Sequence, residues 1–457
     1  MQGPLPWWLE EAPPDPEEPA LAGDAEADVA IVGGGYTGLW TALTLKQRDP
    51  ALRVVVLEAE RVGLGPSGRN GGFCHGLWAS VRWLRDEFGA EAAVRTAAAS
   101  TGIFDAVGAL GEDVWARQGG MMKVATTEAQ ETVIDRAVRT AAELGVPEEA
   151  VPLSREEVSR RIRSPVFRRG VWFRDGITVQ PARLVRALRR AALAAGVTLH
   201  ERTIVTGVEH GLVRTRAGNV RAAEIIVATN AWMSGWRPVH GRVTTFGSYV
   251  VLTEPVPDLI DAIGWTGGEA ITDGRMFLHY FRTTNDGRVL MGTGSGKLGD
   301  RRHRIDARFF EDEGAIARAE RGLRRLLPGL AGARVERAWG GPVDVSSDHL
   351  PFFGTVPGTR IHYGAGYSGN GVGPSWLGGQ ILASLVLAAD DEWTRLPLAR
   401  TGPKRLPPEP FRTPGARLVW RAVLAAEEAD ENGRRPGAVT RCVAALPRVL
   451  GLRIGTR

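Results

Sequence analysis

Residues 28–58 read DVAIVGGGYTGLWTALTLKQRDPALRVVVLE, and the fold is decided inside them. Asp28 to Val32 is a short apolar run stopped by three glycines, the pattern of a buried strand. Gly38 to Arg48 reads as a helix, and Val54 to Leu57 as a second, parallel strand. Between strand and helix, Gly33-Gly34-Gly35-Tyr36-Thr37-Gly38 is a GxGxxG in the setting that gives it meaning. Gly33 permits the tight turn, Gly35 lets backbone approach a pyrophosphate, and Gly38 lets helix and sheet pack closely. The phosphates then face the positive end of the helix. Glu58 lies twenty residues past Gly38, at the end of the second strand, where a carboxylate accepts ribose hydroxyls and disfavours a 2'-phosphate. A glycine-rich turn followed by an unrelated surface Glu is the competing reading, and the spacing weighs against it. A dinucleotide site is expected.

Outward from this unit, residues 79–118 and 127–145 read as helical, with GGMMKVATT between them as a strand. Residues 183–195 form an amphipathic helix, followed by strands in VTLHERTIVTGVE and AAEIIVATNA. Residues 243–254, 275–282 and 288–293 alternate like antiparallel strands, which suggests a second, sheet-rich domain inserted into the first. A helix follows near 309–327, then a strand, a glycine loop and a helix in RIHYGAGYSGNGVGPSWLGGQILASLVLAAD. The expected division is an N-terminal arm (1–24), a discontinuous dinucleotide-binding domain (25–115, 170–240 and 335–390), a substrate domain (116–169 and 241–334) and a C-terminal extension (391–457) without a clear core pattern. The fold class is α/β.

Composition removes other classes. With 457 residues and 43% hydrophobic residues the chain can bury a large core, so disorder, collagen and coiled coil are excluded. Two cysteines, Cys74 and Cys442, make neither a disulfide framework nor a thiolate metal site, and no metal is expected. The net charge of +5 comes from Arg spread along the chain, not from a basic stripe interleaved with aromatics, so nucleic acid is not an expected partner. No stretch reaches the roughly 20 apolar residues of a membrane span. The acidic, Pro-rich start is opposite to a signal peptide, so a cytoplasmic location is expected.

A second glycine loop, GLGPSGRNGGF at 63–73, follows the ribose-binding strand, and a nicotinamide dehydrogenase has no use for it. Only one strand-coupled GxGxxG is present, which also disfavours a nicotinamide-linked reductase. The segments ADVAIVGGGYTGL, LEAE, GPSGRNGGF, ATNA and GAGYSGNGVGPSWLGGQ occur in an order that resembles the D-amino-acid oxidase-like FAD-dependent oxidoreductases, closest to the branch that contains gamma-glutamylputrescine oxidase. The resemblance covers about residues 25–390. It implies a Rossmann-like FAD-binding domain of the glutathione-reductase type carrying an inserted antiparallel-sheet substrate domain. It further implies that Gly33, Gly35, Thr37, Gly38 and Glu58 hold the ADP half of FAD. Ser67, Gly68, Arg69, Asn70, Gly71 and Gly72 would run along the pyrophosphate and ribityl chain to the flavin ring. Val205 would contact adenine through its backbone and Thr229 would lie beside the phosphates. Gly366, Ser368, Gly369, Gly371 and Val372 match the loop over the pyrimidine edge of the flavin. For that loop there is independent physics, since Pro374 suits a first helical position and would aim a helix N-terminus at the flavin N1 and C2 carbonyl. An ordinary helix start is the alternative.

The activity implied is oxidation of the carbon–nitrogen bond of an amine or amino acid: hydride moves to flavin N5, the imine hydrolyses, and oxygen is a candidate acceptor giving H2O2. The cofactor supplies the hard chemistry and the protein supplies orientation, desolvation and charge. Tyr280 and Arg282 alternate with Phe281 and would share one strand face, a candidate carboxylate clamp, against a solvated Arg beside a half-buried Tyr. His75 and Cys74 follow the SGRNGG loop where relatives sometimes carry a covalent attachment, and noncovalent FAD is favoured. His349, in SSDHLPFFG, lies near a family motif beside an Asp348 and Pro351 that look structural. Lys297 is a candidate cation for oxygen reduction, against a solvated lysine. Trp78, Trp232, Trp339 and Trp376 lie near motifs and are candidate aromatic walls for an ammonium group, against simple core. Trp7 and Trp8, in the N-terminal arm, are expected to staple it to the surface, against an arm that grips a partner subunit. Two other readings stay open: a dehydrogenase of the same fold, acting on a 2-hydroxy acid or passing electrons to a quinone or carrier, and a noncatalytic flavin-binding component. Specific substrate and oligomeric state are not legible.

Overall fold

In the structure, a computed structural model, residues 3–453 are described; residues 1, 2 and 454–457, with the end of the C-terminal extension, lie outside them. The opening stretch forms the elements its pattern requires, a strand Ala25–Val32, a helix Tyr36–Arg48 and a strand Val54–Leu57. The two strands pair in parallel. Thr198–His200 joins Val54–Leu57 in parallel, and Asn219–Val227 joins Ala25–Val32 in parallel on the other side. Ile361–Ala365 continues the parallel order beside Ile225–Val227. Alternate residues feed two cores: Val29, Ile31, Val54 and Val56 pack under the helices, and Ala30, Val32, Val55 and Leu57 pack on the opposite face. Both faces are covered where Val54–Leu57, residues 29–32 and residues 225–227 lie side by side, so those stretches are continuous apolar runs, and each fully buried Val or Ile contributes on the order of 2 kcal/mol. Because these strands run the same way, the residues that leave them, Gly33, Glu58, Ala228 and Gly366, gather at one carboxyl edge, where open α/β sheets bind ligands.

The second sheet has eight strands in the order Val335–Ser346, Val243–Thr253, Val289–Thr293, His279–Thr283, Ala270–Asp273, Met121–Val124, Gly170–Phe173 and Val151–Leu153. All neighbours are antiparallel except Ala270–Asp273 beside Met121–Val124. The expected alternation is therefore present, but two expected boundaries are not. Gly170–Phe173 and Val335–Ser346, expected in the dinucleotide-binding part, both pair within this sheet. The cuts at 170 and 335 fall on apolar strands whose periodicity does not reveal which sheet accepts them. The C-terminal extension also holds more order than its composition suggests, with helices Arg412–Glu431 and Ala438–Val449. Only Val423 and Glu427 of the first are buried, too few to produce a periodic apolar stripe. Among the described residues no helix is long and apolar enough to cross a membrane.

Candidate functional site

A cleft of about 820 Å³ runs along the carboxyl edge of the parallel sheet, within the range of small-molecule sites. Its floor is Gly33, Gly34, Gly35, Tyr36 and Thr37. The glycines do what the motif requires: a side chain at Gly33 would strike the Ala228 carbonyl, and one at Gly38 would collide with the Gly33 carbonyl. The helix Tyr36–Arg48 has no side-chain cap, so its positive end faces the cleft. Glu58 lines the cleft too, its Oε2 accepting from Gly34 N at 2.8 Å and its Oε1 from Glu60 N at 3.0 Å. Burial raises the pKa of this carboxylate and the two backbone donors oppose the rise. Val205 and Thr229 stand on the far wall.

The SGRNGG loop closes the cleft from one side. Ser67 Oγ accepts from Tyr36 N at 3.0 Å, and Asn70 Oδ1 accepts from Gly72 N at 2.8 Å while its Nδ2 donates to Pro66 and Ser67 carbonyls. Two further loop carbonyls are held by tryptophans. Trp8 Nε1 donates to Asn70 O and Trp339 Nε1 to Arg69 O, both at 2.9 Å. Trp7 and Trp8 are buried, so the arm is a brace for this loop as well as a staple. Ser67 and Asn70 line the cleft, whereas Gly68 and Gly72 serve packing: side chains there would strike the Gly63 and Val179 carbonyls. Arg69 is buried, donates from Nε to Leu64 O and from Nη1 to Pro4 and Gly340 carbonyls, and has its pKa lowered to about 10 by burial.

Opposite, the loop 366–373 leads into the helix Pro374–Val386, with Pro at the first position and no side-chain cap. Gly369, Gly371 and Val372 line the cleft. Gly366 and Ser368 shape the turn, with φ of +81° and +54°. Asp344, which no sequence argument singled out, anchors it: its carboxylate accepts from Gly366 N at 2.5 Å and from Asn230 Nδ2 at 2.7 Å. Burial pushes its pKa up to about 6 against those donors. Thr37 Oγ1 meets Tyr367 OH at 2.7 Å, tying the first glycine turn to the last loop.

A second cavity of about 200 Å³ adjoins the cleft and shares Asn70, Val343, Gly369 and Val372 with it. Arg69, Gly71 and Ser368 also line it. Phe73, Phe246, Phe277 and Tyr280 form apolar walls, with Phe73 and Tyr280 edge to face at 5.7 Å. Tyr280 OH meets Ser248 Oγ at 2.9 Å, and the buried Thr272 Oγ1 lacks a partner. Cross-strand register, invisible in sequence, sets Thr272 opposite Tyr280. His75 and His349 complete the lining; burial lowers both pKa values, that of His349 to about 4, so both are neutral at pH 7.

Several expectations are corrected here. Arg282 is not a clamp beside Tyr280: it is 1% exposed and donates to the carbonyls of Gly72, Val179 and Thr283, outside the cavity lining. Strand alternation gave the correct face, but the long side chain reaches back under the SGRNGG loop. Lys297 pairs with Asp306 beside the Phe309 ring. Among the described residues lining the cavity there is no tryptophan; Trp232 borders the cleft, Trp339 braces the loop, Trp376 packs on Trp393, and Trp78 borders a separate small cavity. Cys74 is fully buried, its thiol pushed up to about 12.

The arrangement fits an adenine dinucleotide carrying a ring system. Two uncapped helix N-termini face one cleft, a carboxylate ends the second strand, and the cleft leads into an apolar cavity at the SGRNGG loop. Residues 28–385 match the family described as FAD dependent oxidoreductase (DAO). The oxidoreductase OrdL of Rhizobium meliloti is 30% identical over 84% of this chain and 89% of its own. Gamma-glutamylputrescine oxidoreductase of Escherichia coli is 28% identical over 79% of this chain and 83% of its own. Among solved structures, glycine oxidase from Geobacillus kaustophilus superposes with a TM-score of 0.68 at 22% identity, covering 82% of this chain and 98% of that one.

Proposed function

The chain belongs to the DAO family of FAD-dependent oxidoreductases, and from that premise we propose that it oxidises the carbon–nitrogen bond of a small amine or amino acid and delivers the electrons to oxygen. The observation that carries this is the continuity of the dinucleotide cleft with the apolar cavity at Asn70, Val343, Gly369 and Val372. Gly33, Gly35, Thr37 and Glu58 hold the ADP half, with Val205 and Thr229 at the adenine and phosphates, and Gly38 keeps the turn closed. Ser67, Asn70 and Gly71 carry the cofactor toward its ring, with Gly68, Arg69 and Gly72 shaping the loop. Gly369, Gly371 and Val372 cover the pyrimidine edge, set by Gly366 and Ser368. Bound FAD supplies the two-electron acceptor for the hydride that leaves the carbon.

The chain's own groups do the rest. Phe73, Phe246, Phe277 and Tyr280 exclude water. The Tyr280–Ser248 hydroxyl pair and Thr272 orient the nitrogen. Tyr280 is pushed up to about 12 by burial and stays protonated. The helix N-terminus at Pro374 favours negative charge beside it. Loss of hydride from carbon and a proton from nitrogen leaves an imine, which water converts to a carbonyl compound and the released amine; oxygen takes two electrons and two protons to give H2O2. Noncovalent attachment of FAD is supported by the buried, protonated Cys74. A dehydrogenase is the second reading, favoured by one observation: Lys297, the candidate cation for oxygen reduction, is tied to Asp306. The test follows the oxidised-flavin band anaerobically while amines, amino acids and 2-hydroxy acids are added. Bleaching by an amine or amino acid supports the proposal, and recovery in air supports oxygen as acceptor. Bleaching only by a 2-hydroxy acid, or by no donor, overturns it.

A further inference from the structure

Resting on that reading, we propose that the substrate is an alkylamine or arylalkylamine whose reacting carbon carries no carboxylate. An amino acid brings a carboxylate into the cavity beside the flavin, and a desolvated carboxylate needs an Arg or Lys free to meet it. Among the described residues lining the cavity, Arg69 is the single Arg or Lys. Its Nε and Nη1 serve the Leu64, Pro4 and Gly340 carbonyls, and its Cζ stands 5.0 Å from the Phe310 ring. The two histidines in the lining are neutral.

The neighbouring cations are committed elsewhere. Arg282 lies behind the SGRNGG loop on backbone carbonyls, and Lys297 is paired with Asp306. Lys123, two residues from the lining residue Met121 on the same strand, faces a separate cavity of about 40 Å³ with Arg82. Among the described residues no Asp or Glu lines this cavity either. What remains is apolar side chains, chiefly four aromatic rings, Met121, Met276 and Leu278, with neutral polar groups only: hydroxyls at Tyr280, Ser248, Thr272 and Ser368 and the amides of Asn70 and Asn370. Such a surface rewards an apolar body with one neutral polar group and penalises an anion.

The test uses the FAD-loaded, full-length protein and matched pairs that differ by a carboxylate. Anaerobic flavin reduction by 2-phenylethylamine is compared with that by both enantiomers of phenylalanine. Equilibrium binding of phenylacetamide is compared with that of phenylacetate through the perturbation of the flavin spectrum. The expected result is a preference of about a hundredfold for the carboxylate-free member of each pair, the factor an unpaired buried charge commands. Equal or tighter binding of phenylacetate, failure of both ligands to bind, or reduction by phenylalanine as fast as by phenylethylamine, overturns the inference. If no amine and no amino acid reduces the flavin, the oxidation reading falls, and the phenylacetamide and phenylacetate pair still decides the carboxylate question.

Discussion

Arg282 donates through one nitrogen, Nη1, to the Gly72 carbonyl at 3.1 Å and to the Val179 carbonyl at 2.6 Å. A buried cation thereby fixes the end of the SGRNGG loop from the side away from the cleft. Burial lowers its pKa to about 9, so it remains charged at neutral pH.

Replacing Arg282 by Met keeps the bulk and strands the Val179 carbonyl, at about 1 to 3 kcal/mol for a buried acceptor left unpaired, while the Gly72 carbonyl keeps its bond from Val179 N at 2.9 Å. The expected outcome is a fall in melting temperature and in FAD retained after gel filtration, with the donor KM of the loaded fraction little changed. A variant that keeps its FAD and stability but loses affinity for donors would restore the clamp role.

Gly38 and Gly35 separate packing from ligand approach. A methyl at Gly38 meets the Gly33 carbonyl, which is backbone and cannot yield, whereas at Gly35 it meets only Ser67 Oγ at 3.0 Å. Gly38→Ala is expected to destabilise the apoprotein by about 2 kcal/mol or more, in the range of overpacked cores. Gly35→Ala is expected to leave the apoprotein nearly as stable and to weaken FAD binding at least tenfold. Calorimetry of the apoproteins and FAD titration check both; equal FAD affinity in Gly35→Ala and the parent would remove Gly35 from the cofactor path.

The dinucleotide cleft was legible because its requirements are on backbone: Gly33 and Gly38 stand where a side chain would collide with a carbonyl and Gly35 on the cleft floor, and such demands leave few residue choices. Glu58 was legible because a strand end fixes its place. The substrate half depends on register and reach. Ser248, Thr272 and Tyr280 come from three strands brought together by pairing, and Arg282 sits on the expected face while its guanidinium serves another. Asp344 offers only a single acid in the apolar second half of its strand, and the helix Arg412–Glu431 buries too little to show a stripe.

Asp344 makes a pH prediction with a definite sign. Its folded pKa, about 6, lies above the ordinary aspartate value of 3.8. The native state therefore binds the proton more tightly, and the stability tied to this group is fullest below pH 4 and is lost as pH rises through 6. The difference of about two units corresponds to about 3 kcal/mol. Melting temperatures of the parent and Asp344→Asn between pH 4 and pH 7 test this. The parent is expected to gain relative to the variant as pH falls from 7 to 4, and parallel curves would refute the assignment.

The C-terminal extension braces the second, apolar cavity through Glu427, which holds the lining residue Met276. Its Oε2 accepts from Arg275 Nε at 3.0 Å and its Oε1 from Met276 N at 2.5 Å, while Glu431 pairs with Arg275 Nη1 at 2.7 Å. Met276, Phe277 and Leu278 line the cavity, so the helix Arg412–Glu431 holds one wall in place from outside. Glu427→Ala leaves Arg275 without one of its buried partners and frees the Met276 amide, a loss of about 3 kcal/mol when a buried pair is broken from one side. Because the cleft lies elsewhere, FAD content is expected to be unchanged, while the donor KM rises severalfold with a smaller change in kcat. Glu427→Gln keeps an acceptor for Met276 N and is expected to fall between Glu427→Ala and the parent. Unchanged kinetics in Glu427→Ala would leave the extension with no part in shaping the cavity.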